Sequence, residues 1–573
     1  MTPSRRGSGG EGCGPVVVVG MGPVGATVAL LLSATGVRTV VLERESHPHG
    51  EGRAVALDDT ALRVLQAAGL GPLLRGLLEP ARSVRFVSGT GRALLELTPG
   101  ISASGHPELS FFNQPDLELA LREALGRAPG VELRPGHDVL GVNPRASAVE
   151  VTALDRAGGR RVRLDAAVVL GCDGARSTVR SAIGARLRGL SSPRRWLVLD
   201  THREGDQPGC FEFGCDPARP WVHGTLPGGR HRWEFLLAPE EKAAELERPA
   251  AVARLLEQRG HAGAEVLRAA VYAHHARVAE RLVRGRVMLL GDAAHLSPPF
   301  AGQGLSAGLR DAMAAAWRAA GVARGRFDPE VLAGYGTERR PDAVRATALA
   351  VAVGAVVQTG DTRLAAARDL GLRAMLGLPG VESWVKGGGW RPSGGLPRKA
   401  LRRASGRPRR PGEGRPLPQP VVGTADGRAL PLDDALGPGF ALIGLDVDPR
   451  AVLDSGAIEE LGRLEATVVT VVAGTAPPAG SAPPAGTAPL AGSTPPAGTA
   501  PLAGSTPPAG STPPAGPLRD HQGHLREWLG ASPTRSLLLV RPDRLVLAVL
   551  APNEAGPAFT RLRTSLLRPR SRP

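Results

Sequence analysis

The segment Val16-Val-Val-Val-Gly20-Met-Gly22-Pro-Val-Gly25 decides the fold of this chain. Four consecutive valines indicate a buried strand, and the three glycines have the G-x-G-x-x-G spacing of a turn that opens a helix. Glycines are needed because the backbone must approach a pyrophosphate, whose charge lies at the helix N-terminus. The segment therefore predicts a dinucleotide-binding α/β domain.

The residues after this turn complete a β-α-β unit. Ala26 to Ala34 predict an apolar helix, and Val37 to Leu42 predict the next strand. Glu43 ends that strand 23 residues after Gly20, where a carboxylate accepts hydrogen bonds from an adenosine ribose. Glu43 and its neighbour Arg44 are therefore candidate nucleotide-binding residues.

Two further carboxylates follow predicted buried strands. Asp173 comes after the strand over Ala167–Leu170, and Asp292 comes after the strand over Val287–Leu290. Ligands of open α/β sheets bind outside the carboxyl ends of the strands, so both carboxylates are expected near the glycine turn. A helix cap is the alternative for either aspartate taken alone.

These segments, taken in their order along the chain, resemble those of a known protein family. The glycine turn is followed by Gly171-Cys-Asp173-Gly174-Ala-Arg176-Ser-Thr-Val-Arg180, and then by Val287-Met-Leu-Leu-Gly291-Asp292-Ala-Ala-His295, which runs on to Pro299-Phe-Ala-Gly302-Gln303-Gly304. This combination resembles the FAD-dependent aromatic hydroxylases, the single-component flavoprotein monooxygenases. The resemblance implies non-covalently bound FAD, NADH or NADPH as co-substrate, and O2. It also implies hydroxylation of a phenolic aromatic substrate through a flavin hydroperoxide.

The resemblance also implies roles for individual residues. Asp292 would hold the FAD ribitol, and Asp173 would take part in FAD and NAD(P)H binding. The loop of Gly302, Gln303 and Gly304 would lie beside the isoalloxazine, where backbone N–H groups and the helix dipole stabilise negative charge on reduced flavin. Ser306 stands where relatives usually carry Asn, and it is expected on the first helical turn facing the flavin. Its alternative is a helix cap.

One branch of the family is closer. Its similarity covers about Pro15 to Gly380 and includes Arg53-Ala-Val-Ala-Leu-Asp58-Asp59, Phe112-Asn-Gln114-Pro115, Val271-Tyr-Ala-His274-His-Ala-Arg277 and Glu338-Arg-Arg340. These segments are similar to the 3-(3-hydroxyphenyl)propanoate hydroxylases and their polyketide-tailoring relatives. The likeness implies a 3-(3-hydroxyphenyl)propanoate-like or aromatic polyketide substrate, with FAD contacts from Arg53 and Gln114. The alternatives are a surface ion pair for Arg53 and a helix-start role for Gln114.

Three histidines are weak catalytic candidates. His274 and His275 could act as a base toward a phenol, since an imidazole titrates near neutrality. His295 could touch flavin or substrate, or it could pack as a histidine that holds its loop. The sequence assigns no catalytic residue with certainty and no metal ligand, because Cys13, Cys172, Cys210 and Cys215 form neither a zinc pattern nor a disulfide framework.

The predicted fold is α/β, with a Rossmann-like FAD-binding domain, an interleaved mixed β-sheet substrate domain and a C-terminal thioredoxin-like domain. Residues 1–14 are a disordered N-terminus, and residues 15–390 hold the first two domains. Their FAD-binding parts are about 15–85, 105–190 and 280–390, and the substrate sheet covers about 86–104 and 191–279. A basic linker over 391–415 precedes the thioredoxin-like domain over 416–573. That domain lacks C-x-x-C, so a structural role or a homodimer contact is expected.

A regular six-residue repeat interrupts the C-terminal domain. It begins with Gly474-Thr-Ala-Pro-Pro-Ala, and its last copy starts at Gly510. The repeat has no charged and no aromatic residue, so it cannot bury enough surface to offset its ordering entropy. We therefore predict a disordered insertion over 474–516, between strands at Ala466–Val472 and Ser536–Val540. A binding arm for a proline-recognising partner is the alternative.

The composition limits the other function classes. The formal charge of +16 comes almost entirely from arginine, and its excess lies between Arg391 and Arg415 and between Arg561 and Arg572, without interleaved aromatics. We therefore expect no nucleic acid partner. Apolar runs are too short for a membrane span, and the cysteine content fits a cytoplasmic protein. The alternatives are an FAD oxidase or dehydrogenase without oxygen insertion, and a non-catalytic nucleic-acid- or partner-binding protein.

Overall fold

A computed structural model describes residues 14–47, 52–388, 390–392, 394–397, 409–474, 516–530, 535–556 and 558–559. Three predicted features therefore lie wholly or mostly outside the described residues. They are the N-terminus over 1–14, the repeat over 474–516 and the basic tail. The basic linker over 391–415 is described at 391–392, 394–397 and 409–415.

A six-stranded sheet, called the dinucleotide sheet below, forms the first domain around the valine run. Strand Val16–Val19 pairs in parallel with Thr39–Leu42 on one side and with Val168–Gly171 on the other. Its valines are buried, as expected for a parallel strand covered on both faces. The strand order is Val283–Arg284, Val287–Leu289, Val168–Gly171, Val16–Val19, Thr39–Leu42 and Val131–Arg134. The predicted Rossmann-like α/β domain is confirmed.

Helices pack on this sheet and end at residues that the sequence indicates. Helix Gln114–Gly126 begins after Asn113, whose side chain accepts a hydrogen bond from the Asp116 N–H at 3.2 Å. Helix Gln303–Ala323 packs against helix Pro23–Ala34. The other helices of residues 14–388 are Asp59–Leu65, Gly71–Leu77, Thr178–Ala182, Ala243–Leu246, Pro249–Glu257, Val331–Val357, Thr362–Leu376 and Val381–Lys386, with a π-helical turn at Gln66–Leu70.

An eight-stranded mixed sheet, called the large sheet, is inserted between parts of the first domain. Strand Leu187–His202 pairs antiparallel with Arg230–Leu236 and with Glu265–Ala279. The strand order is His295–Leu296, Glu265–Ala279, Leu187–His202, Arg230–Leu236, Trp221–Leu226, Cys210–Cys215, Ser83–Ser88 and Ala93–Leu97. This is the interleaved mixed sheet that the sequence predicts.

Two small sheets complete the first 390 residues. One is antiparallel and contains strands His137–Pro144, Val149–Asp155 and Arg160–Ala166. The other contains Ala56–Asp58, Leu109–Phe112 and Leu78–Pro80. The second sheet carries the chain from the dinucleotide sheet toward the large sheet, so it lies beside the region where the two meet.

A seven-stranded mixed sheet forms the C-terminal domain. Strands Leu518–Asp520, Thr467–Ala473 and Ala441–Leu445 are parallel neighbours, and the hairpin of Ser536–Val540 and Val546–Leu550 continues the sheet antiparallel. The hairpin of Val421–Gly423 and Ala429–Pro431 lies at the opposite edge. Its helices are Leu432–Leu436, Pro449–Val452, Ser455–Arg463 and His524–Leu529. This arrangement agrees with the predicted thioredoxin-like fold.

The strands around the repeat differ from the prediction. Strand Thr467–Ala473 precedes the repeat, but Leu518–Asp520 and helix His524–Leu529 come before Ser536–Val540. The strand Leu518–Asp520 is too short to give a periodic pattern, which is why the sequence did not reveal it. The repeat thus joins two strands that pair in parallel, with Val471 opposite Leu518. Such a pair needs a crossover connection.

Buried ion pairs hold the C-terminal domain against the first domain. Arg63 donates from Nε and Nη2 to the two carboxylate oxygens of Asp433, both at 2.7 Å. Arg541 donates to both oxygens of Glu338 at 2.9 Å. Burial alone would raise the pKa of Glu338, but Arg318 and Arg541 lower it to about 2. The two domains therefore share an interface whose charges are paired.

Within the described ranges, no single helix is both long and apolar enough to cross a membrane. Helices Val331–Val357 and Thr362–Leu376 meet the criterion only as a pair, by length and composition, and they are bent by 117°.

Candidate active site

The glycine turn joins the first strand to helix Pro23–Ala34. Gly20 has a φ of 98°, and a Cβ there would lie 2.4 Å from the carbonyl oxygen of Cys172. A Cβ on Gly25 would lie 2.0 Å from the carbonyl oxygen of Gly20. A Cβ on Gly22 would meet no described heavy atom within 4 Å. The first and third glycines thus pack the turn, and the second leaves room for a ligand to approach the backbone.

Glu43 is held beside this turn by backbone hydrogen bonds. Its Oε2 accepts from the Met21 N–H at 2.7 Å, and its Oε1 accepts from the Glu45 N–H at 2.9 Å. Arg44 is exposed, and its Nε donates to a carboxylate oxygen of Glu45 at 2.8 Å. The structure therefore brings Glu43 to the glycine turn, while Arg44 points to a surface partner.

Asp292 lies in the 3-10 turn Gly291–Ala293, directly after the strand Val287–Leu289. Its side chain is exposed, and it forms part of the wall of a cavity. Burial among protein atoms raises the pKa of Asp292, while the charges of His295 and Arg53 act in the opposite direction. A ligand that donates hydrogen bonds to this carboxylate would relieve the burial penalty.

The loop of Gly302, Gln303 and Gly304 lies at the N-terminus of helix Gln303–Ala323. Gly302 is the N-cap residue with a φ of 61°, a conformation that favours glycine. A Cβ on Gly304 would meet no described heavy atom within 4 Å. The amide oxygen of Gln303 accepts from Arg310 Nη2 at 3.2 Å. The loop thus presents its backbone at the positive end of the helix dipole.

Ser306 lies on the first turn of the same helix. Its side chain is fully buried, and its Oγ accepts a hydrogen bond from the Asp58 N–H at 3.1 Å. The cavity wall as described does not include Ser306, and its role toward flavin stays a prediction. The same helix packs closely at Gly308, where a Cβ would lie 2.7 Å from Val24 and 3.2 Å from the Gly291 Cα. Ser306 therefore anchors the helix to strand Ala56–Asp58.

His295 is also a packed residue. Its side chain is buried, and its Nε2 lies 2.7 Å from Asp311 Oδ2. The same carboxylate oxygen accepts from the Gly291 N–H at 3.1 Å. Of the two predicted roles of His295, this geometry favours the one in which the histidine holds its loop.

Gln114 positions the segment that carries Arg53. The amide oxygen of Gln114 accepts from the N–H groups of Arg53 and Ala54, both at 2.8 Å, and its amide nitrogen donates to Glu118 at 2.7 Å. The Arg53 guanidinium lies 5.5 Å above the ring of Tyr272. Both predicted residues, Arg53 and Gln114, line the cavity.

Asp173 is occupied as a helix cap. Its Oδ1 accepts from Ser177 Oγ at 2.6 Å, and its Oδ2 accepts from the Val179 N–H at 3.0 Å. Burial raises the pKa of Asp173, and these hydrogen bonds act against that effect. In this structure the carboxylate therefore serves the turn before helix Thr178–Ala182, which is the alternative given above. Its role toward FAD and NAD(P)H stays a prediction.

A cavity of about 610 Å³ joins the glycine turn to the large sheet. The predicted site residues in its wall are Gly22, Arg53, Gln114, His274, His275, Asp292, Gly302, Gln303 and Gly304. Within the described part of the chain, its wall does not include Gly20, Gly25, Glu43, Arg44, Asp173, His295 or Ser306. Residues from three distant parts of the sequence thus meet around one space.

One end of the cavity is apolar and aromatic. The rings of Phe86 and Phe213 stack at 4.7 Å between centroids, and those of Phe111 and Phe211 stack at 5.1 Å. Trp390 and other apolar side chains cover this end from the opposite side. An aromatic ligand would find both stacking partners and a dry wall here.

Charged side chains line the cavity on the large sheet. Arg232 and Arg268 both pair with Asp200, at 2.5 and 3.0 Å, and both donate to the carbonyl oxygen of Gly52. Burial raises the pKa of the neighbouring Glu234. Among the described residues, Nη1 of Arg268 has no hydrogen-bond partner. This part of the structure therefore holds a buried donor without a partner among the described residues.

Comparison with known proteins agrees with this geometry. The family model described as FAD binding domain matches residues 14–350, and the one described as HcaD C-terminal domain matches residues 414–565. The 3-(3-hydroxy-phenyl)propionate/3-hydroxycinnamic acid hydroxylase 2 of Burkholderia vietnamiensis is 40% identical over 442 residues, which are 76% of this chain and 80% of the relative. The chain belongs to the FAD-dependent aromatic hydroxylases.

Solved structures show the same fold as this hydroxylase. The flavin-dependent monooxygenase PieE, in complex with FAD and substrate, has a TM-score of 0.74 at 20% identity over 97% of this chain and 99% of PieE. OxyS anhydrotetracycline hydroxylase from Streptomyces rimosus has a TM-score of 0.71 at 23% identity over 96% of this chain and 98% of OxyS. The shared architecture thus extends through the C-terminal domain.

The residues of the hydroxylase fit FAD. The glycine turn leaves space for a pyrophosphate at Gly22, and Glu43 lies where an adenosine ribose is held in this motif. Asp292 offers a carboxylate toward the cavity, and Gly304 leaves the helix N-terminus open for close approach. Arg53, Arg232 and Arg268, which line the cavity, suit the negative charge of a dinucleotide.

The two histidines of the cavity wall differ in their surroundings. Burial and the nearby His275 lower the pKa of His274 to about 4. His274 stacks on Trp196 at 5.9 Å and meets Phe300 edge-on at 5.4 Å. His275 instead forms a hydrogen bond with Ser191 Oγ at 2.9 Å. His274 is therefore a weak base held in an aromatic cluster, and His275 has a polar partner.

Sequence reasoning missed the charged cluster of the large sheet. Arg232 and Glu234 alternate with His231 and Trp233 on one strand, so they share the face that lines the cavity. Three charges at this period, Arg230, Arg232 and Glu234, in a largely buried strand were the available signal. Arg268 lies on another strand, and nothing in the sequence connects it to them.

Proposed function

We propose that this hydroxylase uses NAD(P)H and O2 to hydroxylate a phenolic aromatic substrate. The main support is that a single cavity joins a dinucleotide-binding end, formed by the glycine turn and Asp292, to an aromatic end formed by the large sheet. When bound, FAD would supply the redox chemistry by accepting a hydride from NAD(P)H and activating O2. The chain itself would bind and orient FAD and the substrate, and it would exclude water from the cavity.

The residues around the loop Gly302–Gly304 would position the flavin electrostatically. The N-terminus of helix Gln303–Ala323 carries partial positive charge, which favours negative charge on the ring system beside it. The ion pair of Arg310 with Asp58, at 2.8 Å, fixes the helix to the segment that runs from Arg53 to Asp58. This arrangement supports a flavin site that is formed before substrate binds.

The substrate is proposed to be a phenol of the 3-(3-hydroxyphenyl)propanoate class. This proposal rests on the substrates in the names of curated relatives, such as the hydroxylase of B. vietnamiensis. An aromatic polyketide is the second substrate class, proposed from the sequence resemblance alone. The stacked pairs Phe86–Phe213 and Phe111–Phe211 would accept the ring of either class.

His275 is the proposed base toward the phenol. A phenol has a pKa of about 10, so the buried His274, whose pKa is about 4, is poorly matched to take its proton. His275 lines the same cavity and has the Ser191 hydroxyl to orient its ring. His275→Gln should lower kcat more than His274→Gln does, and equal effects would remove His275 from this role.

Product analysis with labelled oxygen tests the proposed reaction. The full-length protein, loaded with FAD, would receive NADH or NADPH, ¹⁸O2 and a panel of phenols that includes 3-(3-hydroxyphenyl)propanoate and an aromatic polyketide. We expect substrate-dependent NAD(P)H consumption and a product that carries one ¹⁸O atom. A product without added oxygen would instead identify an oxidase or dehydrogenase. A product from the polyketide alone would reject the propanoate class.

A further inference from the structure

A second polar cluster lies on the face of the large sheet that points away from the cavity. On strand Arg230–Leu236, Arg232 lines the cavity, so its neighbours His231 and Trp233 lie on the other face. His223, on the adjacent strand, stacks on Trp233 at 3.8 Å between ring centroids. His261 contacts the same group, with its ring 4.8 Å from that of Trp233. None of these histidines serves the proposed hydroxylation.

Three ligand-bearing side chains converge in this cluster. One ligand atom from each of Asp206, His231 and His261 lies within 4.8 Å of the other two. The His231 Nε2 is 3.5 Å from Asp206 Oδ2. The three residues come from separate segments, namely a turn before strand Cys210–Cys215, a central strand and the loop after helix Pro249–Glu257. Their approach is therefore a product of the fold.

The ring of His231 is already oriented for coordination. It is 1% exposed, and its Nδ1 lies 3.0 Å from His223 Nε2. When His231 Nδ1 carries the proton and donates to His223, its Nε2 presents a lone pair toward Asp206. Metal-binding histidines are commonly held in this way through the ring nitrogen that does not bind the metal.

We propose that Asp206, His231 and His261 bind a divalent zinc-class metal ion. In a tetrahedral zinc site with bonds of about 2.1 Å, ligand atoms lie about 3.4 Å apart. The His231–Asp206 pair is close to this separation at 3.5 Å. Asp206 can close the remaining distance because its side chain is 38% exposed. Water would take the fourth position.

The proposed ion would connect the loop after helix Pro249–Glu257 to the large sheet. Of the three ligands, His261 alone follows that helix in the sequence. Its backbone N–H donates a hydrogen bond to the Leu256 carbonyl oxygen at 2.9 Å. Coordination would therefore tie the helix end to strand Arg230–Leu236. We infer a stabilising role for the ion on the outer face of the sheet.

Arg203 opposes the ion in the described conformation. Its Nη1 donates to His261 Nδ1 at 3.3 Å and to the Gly260 carbonyl oxygen at 3.2 Å, and its Nε is 3.8 Å from Asp206 Oδ2. Binding through His261 Nε2 places the proton on Nδ1, so Arg203 must release that nitrogen. Removal of the arginine charge should therefore strengthen metal binding.

Zinc binding to the tag-free, full-length, FAD-loaded protein tests the proposal. Calorimetric titration with Zn²⁺ alone, and elemental analysis after dialysis, would give affinity and stoichiometry. We expect one Zn²⁺ per chain in the wild type. Asp206→Asn, His231→Gln and His261→Gln should each weaken binding by at least about tenfold. Arg203→Gln should strengthen it and raise the melting temperature in Zn²⁺.

His524→Gln is the matched control, since His524 is exposed on the C-terminal domain. Binding should be unchanged in this variant. A wild type without a saturable site, or equal affinity in the wild type and the exposed-residue variant Asp206→Asn, would overturn the proposal. Because the cluster faces away from the cavity, FAD content and hydroxylation are separate readouts, and their loss would bear on the proposed function instead.

Discussion

Buried charges lie on two sides of the flavin cavity, and the two groups are built differently. Around helix Gln303–Ala323, six side chains form a chain in which basic and acidic groups alternate, here called the closed chain. Each member has a neighbour of the other type within 3.5 Å, and the members in order are His295, Asp311, Arg339, Asp342, Arg310 and Asp58. The second group, here called the open cluster, contains Asp200, Arg232, Arg268 and Glu234, and its last three members line the cavity.

This difference separates structural charge from ligand-binding charge. In the closed chain, burial would raise the pKa of Asp311, but His295 and Arg339 lower it. In the open cluster, burial dominates and the pKa of Glu234 is raised. The protein thus stabilises ionised carboxylates where charges are balanced. On the cavity wall, burial disfavours the charged form of Glu234, so an anionic cofactor could serve as a counter-charge for Arg232 and Arg268.

The largest effect is expected from breaking the closed chain at Asp311. Asp311→Asn removes the carboxylate that both His295 and Arg339 contact, so the buried Arg339 guanidinium keeps Asp342 but loses one of its two charge partners in the chain. The free energy of unfolding should fall by about 3–5 kcal/mol, as measured by urea unfolding of the first domain. The control is Asp165→Asn, whose side chain is 70% exposed and which should cost below about 0.5 kcal/mol. Similar losses in both variants would show that the chain is not a structural unit.

The next effect concerns FAD affinity at Asp292. Asp292→Ala removes the carboxylate that faces the cavity, so FAD binding should weaken by about 1–3 kcal/mol. Asp173→Asn is the contrasting variant, because its carboxylate is bonded to Ser177 and Val179. The Asp173 variant should lose stability and keep its FAD affinity. Flavin fluorescence titration measures both affinities, and the reverse outcome would exchange the roles of the two aspartates.

Short motifs explain which parts of this site the sequence could predict. Gly20, Gly22 and Gly25 occupy fixed positions relative to one strand and one helix, so their geometry follows from local spacing. Asp292 follows a recognisable buried strand, which places it at the ligand-binding edge of the sheet. The Rossmann-like fold and the dinucleotide end of the cavity were therefore predictable.

Other features depend on contacts between distant segments. The Oγ of Ser306 accepts from the N–H of Asp58, which lies 248 residues earlier in the sequence, so this contact could not be inferred from helical spacing. The pairing of Arg268 with Asp200 joins two strands whose register is fixed only by the whole sheet. Single charged residues on such strands carry no motif, and the open cluster was missed for this reason.

The third prediction sharpens the comparison at Arg268. Arg268→Met removes a cation with an unpaired nitrogen, so dinucleotide binding should suffer more than folding does. We expect the Kd for FAD or the KM for NAD(P)H to rise about tenfold, the loss of about one charged hydrogen bond. The loss of unfolding free energy should be smaller than that of Asp311→Asn.

Arg268→Lys is the matched control for charge without the planar guanidinium. It should recover part of the affinity that Arg268→Met loses. A variant that loses stability while both nucleotide constants stay unchanged would place Arg268 with the closed chain as a structural residue.

The smallest effect is expected at Glu234, and its sign follows from the direction of its pKa. Burial raises the pKa of Glu234 in the folded protein, and Arg232 counteracts this only in part. Above its unfolded pKa of about 4.5, the folded state therefore binds more protons than the unfolded state, and stability falls as pH rises through the folded pKa. Glu234→Gln removes this loss. The free energy of unfolding of this variant should decline less than that of the wild type between about pH 5 and pH 8, by about 1 kcal/mol or below.

Glu245→Gln is the control, at a side chain that is 54% exposed, and it should leave the pH dependence of stability unchanged. If Glu234→Gln follows the wild-type curve, Glu234 is balanced by its arginines as fully as the carboxylates of the closed chain are.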